Sequence, residues 1–185
     1  MKTRIGFVSN SSSSSFIVAF PREPKSMEDV QRMLFKRKKW YVHPYNHLKR
    51  EFIKYTTERI SEVVWKDIIE QKPSIVEDIV DSLTSGWFKP YGDLPGLPTD
   101  DDIEELFGKP SPGYNGPDAV LNEWHEFENK VSEQRALDIA NLFISDNKKK
   151  FIYTFNYGDE DGQFYSALEH GGLFDKLPHI IISQH

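Results

Sequence analysis

The sequence predicts an α+β fold: a small sheet built from N- and C-terminal strands, with a mainly helical middle packed on it. Three observations predict it. Segments rich in β-branched and aromatic residues lie near both ends of the chain, Ser15–Phe20 after a lead-in over Thr3–Val8, and then FIYTFNY (151–157) and HIIIS (179–183). Between them, apolar residues recur at helical spacing. No repeat divides the chain, so its 185 residues are expected to form a single domain with a helical elaboration over about 26–147.

Each element has its own local reason. Pro21 and Pro24 end the first strand, and Ser26 before Met27, Glu28 and Asp29 reads as a helix start with Val30, Met33 and Leu34 on one face. The next stretch, WYVHPYNH (40–47), reads as an irregular connection around Pro44. Ile60, Val63, Val64 and Ile68 give a helix over about 57–71. Ser74 then caps another, with Ile75, Ile79, Val80 and Leu83 as its stripe; two amphipathic helices across Pro73 predict a helical hairpin. Six of the 11 prolines fall in 86–117, which predicts a mobile loop region holding one short helix capped by Thr99 or Asp100. Val120, Trp124, Phe127 and Val131 are in helical phase, but Leu137, Ala140, Phe143 and Ile144 are not in phase with them. One bent helix or two helices with a restart at Ser132 both fit. A last helix over 164–177 breaks at Gly171 and Gly172, and Pro178 stops it before the final strand.

Composition bounds the function. Cysteine is absent, which excludes disulfides, thiolate metal sites and cysteine nucleophiles and suits a reducing interior. The opening resembles a signal peptide only superficially, because polar residues 9–15 separate Phe7 and Val8 from the next apolar run. Nothing approaches the length of a membrane span. The expectation is a cytoplasmic protein with no membrane partner. Its net charge is −6, yet residues 36–55 carry seven Lys or Arg against the single acid Glu51. That imbalance marks a basic surface on an acidic body.

Three constellations can carry chemistry. The tract Ser9, Asn10, Ser11, Ser12, Ser13, Ser14 and Ser15 offers hydroxyls and backbone N–H groups to an anion. It lacks the glycines and lysine of a nucleotide loop, and serine-rich turns ordinarily satisfy their own backbone. The basic stretch holds Lys36, Arg37, Lys38 and Lys39 beside Trp40 and Tyr41, with Lys49 and Arg50 following. Cations that neutralise phosphates next to rings that stack on bases suit a nucleic acid, and the same patch suits an acidic protein. A solvated helix end followed by structural aromatics is the ordinary alternative. Near the C-terminus, Asp159, Asp161, Glu169, His170 and His185, with His179 nearby, are ligand types for a divalent metal, the one cofactor the sequence suggests. Their spacing matches no metal motif.

The string from Arg4 to Phe16, RIGFVSNSSSSSF, resembles the amino-terminal signature of a group of uncharacterised proteins from tailed bacteriophages and bacteria, and SALEHGGLFDKLPHI (166–180) is similar to the tail of some of them. The resemblance implies a phage or mobile-element accessory protein, resident in the host cytoplasm if phage-encoded. It brings no site residues with it. The leading expectation is therefore a non-enzymatic accessory protein that binds a host or phage macromolecule, nucleic acid or protein. A metal-dependent hydrolase or nucleotide-processing enzyme and a virion or assembly component are the alternatives.

Overall fold

The structure is a computed structural model that describes residues 13–46, 52–84, 87–89, 99–112, 117–158 and 162–184. In chain order the elements are β1 (Ser13–Phe20), α1 (Met27–Phe35), β2 (Trp40–Val42), β3 (Lys54–Thr56), α2 (Thr57–Ile69), α3 (Val76–Leu83), β4 (Trp87–Lys89), α4 (Asp100–Phe107), α5 (Asp118–Asp146), β5 (Phe151–Gly158), α6 (Gln163–His170) and β6 (His179–Gln184). Four strands form an antiparallel sheet in the order β4-β6-β1-β5, and β2 pairs with β3 in a separate ribbon. The α+β architecture, with N- and C-terminal strands side by side, is as the sequence predicts.

β1 occupies an inner position because it is apolar on both sides. Its alternating residues separate two cores. Phe16, Val18 and Phe20 join Tyr153, Phe155 and Tyr157 on an aromatic face covered by α1, α2 and the segment Leu173–Leu177. Ile17 and Ala19 join Ile152, Ile180 and Ile182 on an aliphatic face, covered by Ile79 and Leu83 of α3 and by Ala136, Ile139, Ala140 and Phe143 of α5. Helices thus lie on both sides of the sheet.

That division corrects the predicted helical hairpin. α2 and α3 lie against opposite faces, and residues 70–75 carry the chain around the β5 edge. An exposed edge leaves unpaired backbone groups, and here the connection itself satisfies them. The Gln71 side chain donates to Thr154 O (3.0 Å) and accepts from Thr154 N–H (3.3 Å), while Ser74 N–H donates to Ile152 O (2.7 Å). The Ser74 backbone is thereby tied to the sheet, and the predicted Ser74 cap is corrected: the N-cap is Ile75, whose N–H donates to Asp78.

α5 is one helix of 29 residues. Its stripe changes phase because its two halves bury different sides. Trp124 packs against Phe107 of α4 at 5.1 Å between ring centroids, whereas Ala136 to Phe143 face the sheet. At about 100° per residue, the step from Trp124 to Ala136 rotates the buried side by roughly 120°. In the region expected to be a mobile loop, α4 starts at Thr99 as predicted, and the short strand β4 pairs with β6, which the sequence reading did not anticipate.

At the start of α1, Ser26 caps as predicted, accepting from Asp29 N–H. Asp29 itself takes both terminal nitrogens of Arg22 (2.7 and 3.1 Å), an ion pair with Arg32 and the Lys25 N–H (3.2 Å). The Arg22 and Arg32 hydrogen bonds hold this carboxyl well below the ordinary range. A depressed folded-state value stabilises fully above the unfolded carboxyl value near 4 and loses that contribution as pH falls below it.

Gln71→Ala lowers the urea midpoint by the equivalent of about 1–2 kcal/mol with an unchanged slope, and an unmoved midpoint contradicts the edge-sealing role. Asp29→Asn lowers stability at pH 7 and flattens its fall between about pH 4 and 2, measured by urea unfolding across that range; a wild-type acid profile in the variant refutes the assignment.

Candidate functional site

The exposed basic stretch is built on a fixed backbone. α1 stops at Lys36, whose φ of 56° turns the chain out of the helix. Thr57, the buried first residue of α2, then pins the run: its N–H donates to Lys39 O (3.1 Å) and its hydroxyl to Lys38 O (2.8 Å), with Gln31 donating to that hydroxyl in turn (3.0 Å). The side chains of Lys36, Arg37, Lys38 and Lys39 remain exposed on this anchored segment.

In the β2–β3 ribbon, period-2 alternation sends Tyr41 and Tyr55 inward and Trp40, Val42 and Lys54 outward. Trp40 is 49% exposed and carries the Lys54 ammonium over its ring at 4.3 Å. Val42 (45%), Tyr45 (38%) and Phe52 (69%) extend the patch, an unusual density of large apolar side chains in water within one short segment. Asn46 closes the base of the intervening loop with two hydrogen bonds to the Ile53 backbone, each 2.8 Å.

Tyr41 does not share the stacking surface the sequence assigns to it. It packs edge-on against Phe35 and donates its hydroxyl to Ala167 O (3.2 Å) at the end of α6, and burial raises its phenol above the ordinary range. Gly171 makes that approach possible. A Cβ there would lie 2.0 Å from the Tyr41 hydroxyl oxygen and 2.4 Å from Ala167 O.

Beside this junction lies a cleft of about 400 Å³ lined by Phe16, Phe174, Glu169, His170, Asp175 and His179, with Pro44 at one side. It forms where α6 ends: Gly171 N–H closes the last turn onto Ala167 O, and Gly172, at φ 63°, reverses the chain. The Glu169 side chain is fully buried and its oxygens are divided between two neighbours. Ser14 donates to Oε1 at 3.3 Å, and His170 Nε2 lies 3.4 Å from Oε2. His170 is one-quarter exposed, and its ring packs on Tyr45 at 5.3 Å between centroids. The His179 ring is oriented from the other side. Its Nδ1 donates to Leu177 O (2.8 Å); a carbonyl only accepts, so Nδ1 carries the hydrogen.

The predicted residues separate accordingly. Ser13, Ser14 and Ser15 lie in β1 paired on both sides, Ser14 with Tyr157 and Ser183, so their backbone runs within the sheet ladders. Ser14 serves Glu169, since it shares the aromatic face with Phe16 two residues on. Glu169 and His170 of the suggested metal cluster lie in contact, and Ser14 joins them from the far end of the chain. Ser9, Asn10, Ser11, Ser12, Lys49, Arg50, Asp159, Asp161 and His185 lie outside the described residues. Among the described residues, no group of three or more acids and histidines is placed to hold a metal ion, and no helix is long and apolar enough to cross a membrane. Pro44 and Asp175 in the cleft and the exposed Val42 and Phe52 on the ribbon were not anticipated from the sequence, whereas Tyr45 and Lys54 belong to the basic and aromatic stretch it singles out. Alternation around Trp40 and again before Thr57 was the available signal.

The chain is thus an α+β protein with helices on both faces of an antiparallel sheet, an exposed basic and aromatic ribbon, and a polar cleft beside it. Comparison with protein-family models, curated protein sequences and solved structures finds no match.

Ser14→Ala removes a hydroxyl donor from a buried carboxylate. The expected cost is about 1–3 kcal/mol in urea unfolding, and a neutral variant shows that Glu169 does not depend on the serine.

Proposed function

We propose that this chain is an accessory protein of a bacteriophage or mobile element that binds single-stranded nucleic acid through the β2–β3 ribbon and the basic run leading into it. One observation carries the reading: Trp40 stands exposed beside Lys54 and directly after Lys36, Arg37, Lys38 and Lys39, on a backbone pinned by Thr57. Single strands are held by cations along the backbone and by rings on which bases stack, and neither requires a particular sequence. A duplex offers phosphates but keeps its bases stacked, leaving Trp40 and Tyr45 without a role. The RIGFVSNSSSSSF opening supports the phage or mobile-element setting.

Fluorescence anisotropy of a labelled single strand, followed across a salt series, tests the reading. Affinity is expected to fall steeply with salt and to exceed that for the matching duplex. Trp40→Ala weakens binding by about 1–3 kcal/mol, and the pair Lys38→Glu and Lys39→Glu weakens it further while flattening the salt slope. No anisotropy change at low salt rejects the proposal and leaves Val42 and Phe52 to a protein partner.

A further inference from the structure

We propose that the cleft beside α6 binds an aliphatic ammonium group, with the carboxylates of Glu169 and Asp175 as its anchors. The inference does not depend on the ribbon reading, since it concerns other residues and a ligand of opposite charge.

One observation sets this cleft apart from an ordinary acidic groove. The Glu169 side chain has no exposed surface, and its Oε2 has no hydrogen-bond partner. Oε1 is taken up by Ser14 of β1, so the unpaired oxygen is the one on the His170 side, and His170 lines the cleft. His170 Nε2 stands 3.4 Å from it without making a hydrogen bond. A buried carboxylate oxygen in that state is costly until a donor reaches it.

The remaining lining says which donor. Asp175 supplies a second, exposed carboxylate, which folds over Gly172 where a Cβ would collide with it. Among the described residues it makes no side-chain hydrogen bond or ion pair, and the cleft is lined by no Lys or Arg. Lys176, next along the chain, spends its ammonium on Leu34 O (3.3 Å). Two carboxylates without a fixed cation attract a positive ligand and repel a phosphate.

The same residues narrow the class of cation. Among the described residues no group of three acids and histidines is placed to hold a metal ion. A guanidinium is a planar fork that prefers both oxygens of one carboxylate, and Glu169 has one to give, because Ser14 holds the other. An ammonium is a point charge with three donors and needs only single acceptors. Phe16, Phe174 and Ile181 offer an apolar wall to a short aliphatic stem, and the volume of about 400 Å³ suits a small ligand. The ammonium takes the position beside Oε2 that His170 Nε2 now faces, and the His170 ring, at the cleft surface, turns aside to admit it. A free amine and the lysine side chain of a partner present this same group.

The test is calorimetric titration of the full chain, at pH 7 and low salt, with butylamine, putrescine and Nα-acetyl-lysine methylamide, and with butanol and butyrate as neutral and anionic controls. The amines are expected to bind, more weakly as salt is raised, and the controls are not. Tighter binding of putrescine assigns the site to a free polyamine, and tighter binding of the lysine compound assigns it to a partner's side chain. Glu169→Gln is expected to weaken amine binding by about 10-fold or more, and Asp175→Asn by a smaller factor, with folding of each variant checked by urea unfolding. The ring resonances of His170 are expected to move as amine is added. Absence of amine binding, butanol or butyrate bound as well as butylamine, or an unmoved His170 ring overturns the proposal. Should Glu169→Gln fail to fold, Asp175→Asn at its exposed position decides, and unchanged amine binding in that variant is equally fatal.

Discussion

The double burial of β1 organises this molecule. A strand bonded along both edges and covered on both faces has no surface to spare, so all its neighbours must be supplied by other parts of the chain. The C-terminal third supplies the flanking strands, and the helical middle supplies the two layers. Because Phe16, Val18 and Phe20 point one way and Ile17 and Ala19 the other, the two layers differ in kind. Rings pack against rings on one side, and aliphatic side chains against small ones on the other.

The same constraint places the cleft. Period-2 alternation carries the aromatic face outward from Phe16 to Ser14, where a hydroxyl replaces a ring and a polar partner becomes admissible. α6 delivers Glu169 to that position. A carboxylate so fully buried needs its neighbours, and Ser14 and His170 are the two that stand against its oxygens. The polar tract before Phe16 thus ends within the sheet, with Ser14 bonded to the Glu169 carboxylate of the cleft wall.

Side chains acting as backbone substitutes close the remaining gaps. The Gln71 amide stands in for a strand along the β5 edge, and the Asn46 amide does the same at the base of the ribbon loop. Thr57 anchors Lys38 and Lys39 by hydroxyl and N–H together. These contacts fix the backbone beneath exposed cations and rings, which reduces the ordering cost that any partner must meet.

Several features were legible in the residues alone, because they depend on local propensity and periodicity. The strands at 15–20, 151–157 and 179–183, the Ser26 and Thr99 caps, and the helices over Ile60–Ile68 and Ile79–Leu83 all follow from short-range pattern. The ribbon was only faintly legible: the alternation of two three-residue strands is too short to outweigh the turn residues between them.

Tertiary structure alone decided which side of the sheet each helix covers, since an amphipathic stripe states that a face is buried and not against what. It turned a predicted hairpin into two helices astride an edge strand, and it made one helix of 118–146 from two stripes out of phase. It also brought Ser14 to Glu169 across 155 positions of sequence. No local pattern encodes a contact of that separation; it arises because both residues are needed at the same end of the same aromatic face.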